Sequence, residues 1–83
     1  YPPWEMGRVA LQEGRWPEAV SWLRRALDRY PTSSRIRIDL AQGHLGLGEP
    51  SKAYDLLLEA HRYSRFDDQA RRQVEDLMLG VEP

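Results

Sequence analysis

The chain has 83 residues, of which 41% are hydrophobic and 30% are charged, and its 12 Lys and Arg nearly balance its 13 Asp and Glu. This composition excludes a disordered acidic tail, and it argues against a nucleic-acid binder, which needs a positive excess to replace the counterions of phosphates. No apolar run approaches the length of a membrane span, and without cysteine there is neither a disulfide nor a thiolate zinc site. The length predicts one small domain, and the composition does not fix its compartment.

Five segments of helical length follow one another along the chain. Good helix formers dominate them, apolar residues recur with helical spacing, and no useful stretch alternates with a period of two. The predicted helices span about 3–13, 17–30, 34–47, 50–63 and 67–79. The sequence therefore predicts an all-α fold.

Glycine and capping residues mark the ends of these segments. Gly14, Gly48 and Gly80 suit the left-handed position just after a helix. Ser34 and Asp67 suit the N-cap, because their side chains can accept from the unpaired N–H groups of the first turn. These signals at the helix ends predict antiparallel helical hairpins.

The chain repeats itself every 34 residues, the spacing from Leu11 to Leu45, and we call this spacing the repeat period. A shift by one repeat period pairs identical residues, namely Leu11 with Leu45, Gly14 with Gly48, Ala19 with Ala53, Leu23 with Leu57, and Ala26 with Ala60. A fixed period of this kind indicates stacked copies of one helical hairpin, since a single hairpin cannot bury its apolar face alone.

The repeated pattern resembles that of the tetratricopeptide repeat family over about residues 1–65. The first helices contain Pro3-x-x-Met6-Gly7-x-x-Ala10 and Arg37-x-x-Leu40-Ala41-x-x-His44, and the second contain Ala19-x-x-x-Leu23-x-x-Ala26 and Ala53-x-x-x-Leu57-x-x-Ala60. Ala10 and His44 stand where the family often has tyrosine, which indicates repacked core positions. The resemblance implies antiparallel helix-turn-helix repeats stacked as a short right-handed superhelix of five helices.

The predicted domain covers residues 1–83. Repeat one is expected at about 1–33 and repeat two at about 34–66. The segment at about 67–79 is either a closing helix or the first helix of a third unit, and its polar outer face favours closure.

The two histidines do not form a catalytic or metal-binding motif. His44 and His61 fall on different predicted helices without the spacing of a zinc site, and there is no phosphate-binding glycine loop or nucleophile elbow. We expect packing for His44 and a helix-end position for His61, and we expect no enzyme activity and no metal or cofactor.

On the first helix of unit one, Met6, Gly7 and Ala10 form the stripe that is expected to pack against the second helix. A second stripe lies beside it in each unit. It consists of Trp4, Arg8 and Leu11 in unit one and of Ile38, Gln42 and Leu45 in unit two. The resemblance implies that this stripe, with Gln12 between its members and Arg72 at its end, lines a concave groove that binds a peptide of another protein. Apolar side chains beside an arginine suit a ligand with hydrophobic anchors and a carboxylate. The alternative is that a short stack folds these residues partly into its own core or covers them with the chain end.

Two other kinds of interaction can be judged from the sequence. The clamp that some repeats of this family use for chaperone tails is excluded, since it needs lysines and asparagines, whereas this chain has no asparagine and only Lys52. Trp22 and Leu56 hold equivalent positions on the second helices, and Leu58 lies nearby. An exposed surface of this kind predicts, as the alternative function, a homo-oligomerisation or assembly domain.

Overall fold

The computed structural model describes residues 2–81, so Tyr1, Glu82 and Pro83 lie outside the described part of the chain. The described residues form five α-helices without strands, which confirms the predicted all-α fold. The helices are α1 (Pro3–Gln12), α2 (Trp16–Arg29), α3 (Ser34–Gly46), α4 (Pro50–Tyr63) and α5 (Asp68–Gly80). Each end lies within one residue of the prediction.

The repeat period is present in the helix boundaries. Helix α4 begins and ends one period after α2, and α5 begins and ends one period after α3. Helix α1 ends one period before α3 but begins later in the unit, at Pro3. Residues separated by one period therefore hold equivalent positions in the described units.

Two of the predicted caps need correction. Ser33, not Ser34, caps α3, because the backbone N–H of Ile36 donates to Ser33 Oγ at 3.2 Å. Asp67 caps α5 as predicted and accepts from the backbone N–H of Ala70 at 3.0 Å. Gly80 is the last residue of α5 and has no positive φ.

The other two predicted turn glycines have the expected conformation. Gly14 and Gly48 adopt φ values of +72° and +74°, the left-handed conformation that favours glycine. Each lies just beyond the first helix of a hairpin, so the chain turns at equivalent points in the two units.

The core has two clusters, the first with residues of α1, α2 and α3 and the second with residues of α3, α4 and α5. The first cluster comprises Ala10, Ala19, Leu23 and Leu40, and the second comprises Ile38, Ala41, Ala53, Leu57, Ala60, Ala70, Val74 and Val81. Leu56 packs against both clusters and so joins them. Alanine and glycine let the helices approach closely. At Gly7, for example, an added Cβ would lie 2.6 Å from Leu23 Cγ.

Helix α3 is the centre of the fold and contacts each of the other four helices. Ile36, Ile38, Leu40 and His44 are at most 3% exposed, although these positions do not lie on one side of the helix. A helix packed on several sides loses the single apolar stripe of a surface helix. This packing decides which residues of α3 can reach a ligand.

Candidate functional site

The contact between α1 and α3 contains a hydrogen-bonded cluster of Trp4, Arg8 and Asp39. The indole Nε1–H of Trp4 donates to Oδ2 of Asp39 at 2.7 Å. Nε of Arg8 lies 3.9 Å from the same oxygen, and the side chains of Arg8 and Asp39 are 63% and 17% exposed. The indole thus holds the carboxylate, whereas the guanidinium of Arg8 extends toward solvent.

The environment of Asp39 makes its charge costly. Burial raises the pKa of Asp39 above its ordinary value, while the hydrogen bond from Trp4 and the charges of Arg8 and Arg35 act in the opposite direction. The charged form of Asp39 therefore needs the neighbouring donors for its stabilisation more than the charged form of a solvated aspartate does.

The structure corrects the placement of one predicted groove residue. Ile38 is 1% exposed and belongs to the second core cluster, so it is not available to a ligand. The prediction assumed that α3 buries only the side facing its own hairpin, but α1 and α5 also pack against α3. Leu11 and Leu45 are half-buried and pack against the first and second clusters, respectively.

The remaining predicted groove residues keep accessible surface. Arg8, Gln12 and Arg72 are exposed, and Trp4 and Gln42 are half-buried. They belong to α1, α3 and α5, and α3 contacts both α1 and α5. We call the following set the α1–α3–α5 face: Trp4, Arg8, Leu11, Gln12, Gln42, Leu45 and Arg72.

Sequence reasoning missed two charged residues of α3. It included neither Asp39 in the site nor Arg37 in the interior. The Arg37 side chain is 8% exposed, its Nε donates to Glu59 Oε2 at 3.1 Å, and its guanidinium lies 4.3 Å from the centre of the Tyr63 ring. The available signal was the position of Arg37 between two isoleucines, in a helix whose apolar residues are not confined to one side.

His44 links two helices to the turn before α4. It is 3% exposed, its Nε2 lies 3.2 Å from Nη2 of Arg24, and its Nδ1 lies 2.9 Å from Oε1 of Glu49. The bond from His44 is the largest cause that lowers the pKa of Glu49. His44 therefore has the packing position that the sequence predicted.

Similarity to known proteins extends over most of the chain. The family model of the tetratricopeptide repeat matches residues 10–77, which is more than half of the chain. The chain belongs to the tetratricopeptide repeat family. Comparisons with curated proteins and with solved structures returned no match.

Membership in the tetratricopeptide repeat family accounts for the helical hairpins and indicates a protein-interaction scaffold. The matched region extends beyond residue 65, where the sequence resemblance ended, into α5. Tetratricopeptide repeats are typically non-catalytic modules that bind other proteins.

Over residues 2–81, no helix combines the length and apolar character that a membrane span requires. In the same residues no three His, Asp or Glu side chains are grouped to hold a metal ion.

The predicted self-association surface of this tetratricopeptide repeat is only partly accessible. Leu56 is half-buried between the two core clusters, while Leu58 is 47% exposed. The half-buried Trp22 lies under Arg25, whose guanidinium carbon is 5.2 Å from the ring centre. Leu56 therefore contributes more to joining the repeats than to an outer surface.

A cavity of about 780 Å³ adjoins the cluster at Trp4. It lies between the beginning of α1, the end of α2 and the beginning of α3, and Trp4, Tyr30, Pro31 and Ile36 contribute to its lining. Most of these groups are apolar, so the cavity offers space for an apolar side chain next to the indole.

Proposed function

We propose that this chain is a non-enzymatic scaffold that binds a peptide segment of a partner protein through its α1–α3–α5 face. The observation that carries the proposal is the cluster at Asp39, in which a half-buried indole lies beside an arginine whose side chain is 63% exposed. The family supplies the general function, and the cluster suggests the location. In this account binding energy serves recognition alone.

The chemistry of the face suggests the ligand class. Nε of Arg8 lies 3.9 Å from Asp39, beyond a close hydrogen bond, so the guanidinium can turn to a carboxylate of the peptide. In addition to Arg8, the proposed face includes a second exposed arginine, Arg72 of α5. The half-buried Trp4 and Leu45 and the cavity beside Trp4 suit apolar side chains. The expected ligand is an extended or helical peptide with apolar anchors and an acidic group.

The test uses peptides selected from a random display library on the purified full chain. Replacing Arg8 and Arg72 together by glutamine should weaken binding of the selected peptides about tenfold, because two charge-assisted contacts are lost. The matched control replaces Arg62 and Arg65, which are exposed at the end of α4 and just after it, by glutamine. Equal weakening by both double variants, or by neither, would contradict the proposal.

Self-association is the alternative function, and the exposure of Leu58 is the observation that favours it. If two copies meet through Trp22, Leu56 and Leu58, the chain should sediment as a dimer at micromolar concentration. Trp22→Glu should then convert the dimer to a monomer. A wild-type chain that sediments as a monomer over a hundredfold concentration range would remove this alternative.

A further inference from the structure

Helices α4 and α5 form a second, smaller groove. Its cavity has a volume of about 340 Å³ and is lined by Tyr54, His61, Glu75, Met78 and Leu79. Tyr54 and Met78 are half-buried against the second core cluster, whereas Leu79 is 74% exposed. The groove therefore combines three apolar side chains with one histidine–carboxylate pair.

The equivalent surface one unit earlier is covered by a helix. There, Val20 and Leu27 of α2 pack in the first cluster together with Leu56 of α4. Ala41 of α3 is 0% exposed and packs in the second cluster, to which Leu57 of α4 belongs. Helix α4 thus packs on α3 and, through Leu56, reaches the first cluster, against which Val20 and Leu27 of α2 also pack.

The repeat period relates the two surfaces. One period after Val20, Leu27 and Ala41 stand Tyr54, His61 and Glu75, three residues that line the groove. The groove is therefore a continuation of the interface that α4 makes within the fold. This continuity indicates that its occupant is a helix with an apolar side.

Glu75 is the main chemical difference between the two surfaces. It holds the position of Gly7 in α1 and Ala41 in α3. At Gly7 an added Cβ would lie 2.6 Å from Leu23 Cγ, so this position faces the central leucine of the second helix. A leucine opposite Glu75 would bury the carboxylate with His61 as its neighbour but no cation facing it, whereas a lysine or arginine would pair with it directly.

We propose that the α4–α5 groove binds one amphipathic helix of a partner protein, seated as α4 is seated one unit earlier, with a lysine or arginine opposite Glu75. In the described structure Oε2 of Glu75 lies 3.1 Å from Nε2 of His61, and both side chains are about half exposed, 54% and 45%. This pair is accessible to an incoming cation. The groove is separate from the cluster at Asp39, so the inference does not depend on the proposed function.

The probe is α4 itself, prepared as a synthetic peptide that spans 50–63. A hydrocarbon staple replaces the side chains at 55 and 59, which are exposed in α4. One peptide keeps Leu57 and the other carries Leu57→Lys, and both are titrated onto the full chain by fluorescence anisotropy. We expect the wild-type chain to bind the lysine peptide about fivefold more tightly, the effect of one partly screened ion pair.

The preference for the lysine peptide over the leucine peptide should reverse when the groove is made to match the preceding unit. Glu75→Ala restores the alanine found at position 41, and this variant should prefer the peptide that keeps leucine. Asp76→Ala removes a neighbouring exposed carboxylate of α5 and should leave the lysine preference unchanged. Perturbation of the Met78 methyl signal, with no change at Val9, would place the peptide in the groove.

Three results would overturn the inference. The first is the absence of binding by either peptide at concentrations up to about 1 mM, a limit that corresponds to very weak recognition. The second is a lysine preference that survives Glu75→Ala, or binding that depends on Arg8, which would place the peptide on the α1–α3–α5 face. The third is self-association of the chain that the lysine peptide abolishes, which would assign the groove to a second copy.

Discussion

Trp4 and Asp39 are 35 residues apart in the chain, and the indole N–H of Trp4 donates to the Asp39 carboxylate at 2.7 Å. The bond joins α1 to α3 at the point where the proposed ligand face begins. Because Asp39 is mostly buried, the indole satisfies a carboxylate oxygen that water reaches poorly. Trp4 therefore supports both the contact between α1 and α3 and the geometry of the α1–α3–α5 face.

Replacing Trp4 by phenylalanine tests this structural role. The ring is largely kept while the donor is lost, so the free energy of unfolding should fall by about 1–3 kcal/mol, the cost of an unsatisfied buried polar group. Urea denaturation measures the change. Trp22→Phe is the matched control, since Trp22 lies under Arg25 rather than donating to a carboxylate, and it should change stability by less than about 0.5 kcal/mol. Equal effects of the two substitutions would contradict the role given to Trp4.

The carboxylates of Asp39 and Asp67 should titrate in a fixed order. Burial raises the pKa of Asp39, whereas the backbone N–H of Ala70 is the main cause that lowers the pKa of Asp67. NMR titration of the side-chain carboxyl carbons should therefore show Asp67 losing its proton at lower pH than Asp39. Trp4→Phe should raise the pKa of Asp39 further, since the bond from Trp4 lowers it. The reverse order of titration would contradict this electrostatic account.

The same shifts give opposite contributions to stability as the pH changes. The unfolded chain titrates its aspartates at about pH 3.9. The contribution of Asp67 is present above that value and is lost as the pH falls through its lower folded pKa. Asp39 favours folding most below the unfolded value, and this advantage is lost as the pH rises through its higher folded pKa. In acid, Asp67→Ala should therefore flatten the loss of stability, while Asp39→Asn should steepen it.

Gly46 and Gly80 are equivalent glycines with different surroundings. A Cβ added at Gly46 would overlap the ring of Trp16, while a Cβ added at Gly80 would meet no atom of residues 2–81 within 4 Å. Gly46→Ala should lower the free energy of unfolding by about 1–3 kcal/mol because the indole has to move. Gly80→Ala should be neutral or slightly stabilising, since alanine favours the helix. Thermal unfolding of the two variants compares them, and a neutral Gly46→Ala would show that Trp16 does not pack as described.

The neutral form of His44 should be a single tautomer, with its proton on Nδ1. Arg24 can only donate, so Nε2 of His44 has to accept, and Nδ1 carries the proton that it donates to Glu49. Nitrogen-15 NMR of the imidazole distinguishes the two ring nitrogens. Signals of the tautomer protonated on Nε2 would exclude the bond from Arg24.

Much of the fold was predictable because its signals are local. Proline, glycine and capping residues bound each segment, and the spacing of alanine and leucine within Ala19–Ala26 reappears one repeat period later, within Ala53–Ala60. The choice between Ser33 and Ser34 as the cap was not predictable, because either hydroxyl fits the rule and only the backbone geometry decides. Gly80 was predicted to follow α5 in the left-handed conformation, but α5 extends to Gly80, whose φ is not positive.

The candidate site was less predictable because it depends on contacts between units. Periodicity places Ile38 on a side of α3 that faces away from its own hairpin, but it does not show that α5 packs against α3. The roles of Asp39 and Arg37 likewise arise from partners that are distant in the chain, Trp4 and Glu59 respectively. A single sequence contains these residues but not their pairing.

The most direct test of where the ligand binds is an amide chemical-shift titration of the full chain with a display-selected peptide. The largest changes should fall at Arg8, Gln12, Gln42, Leu45 and Arg72, and the indole N–H signal of Trp4 should also shift. Changes confined to α2 and α4 would contradict the assignment of the α1–α3–α5 face as the binding site.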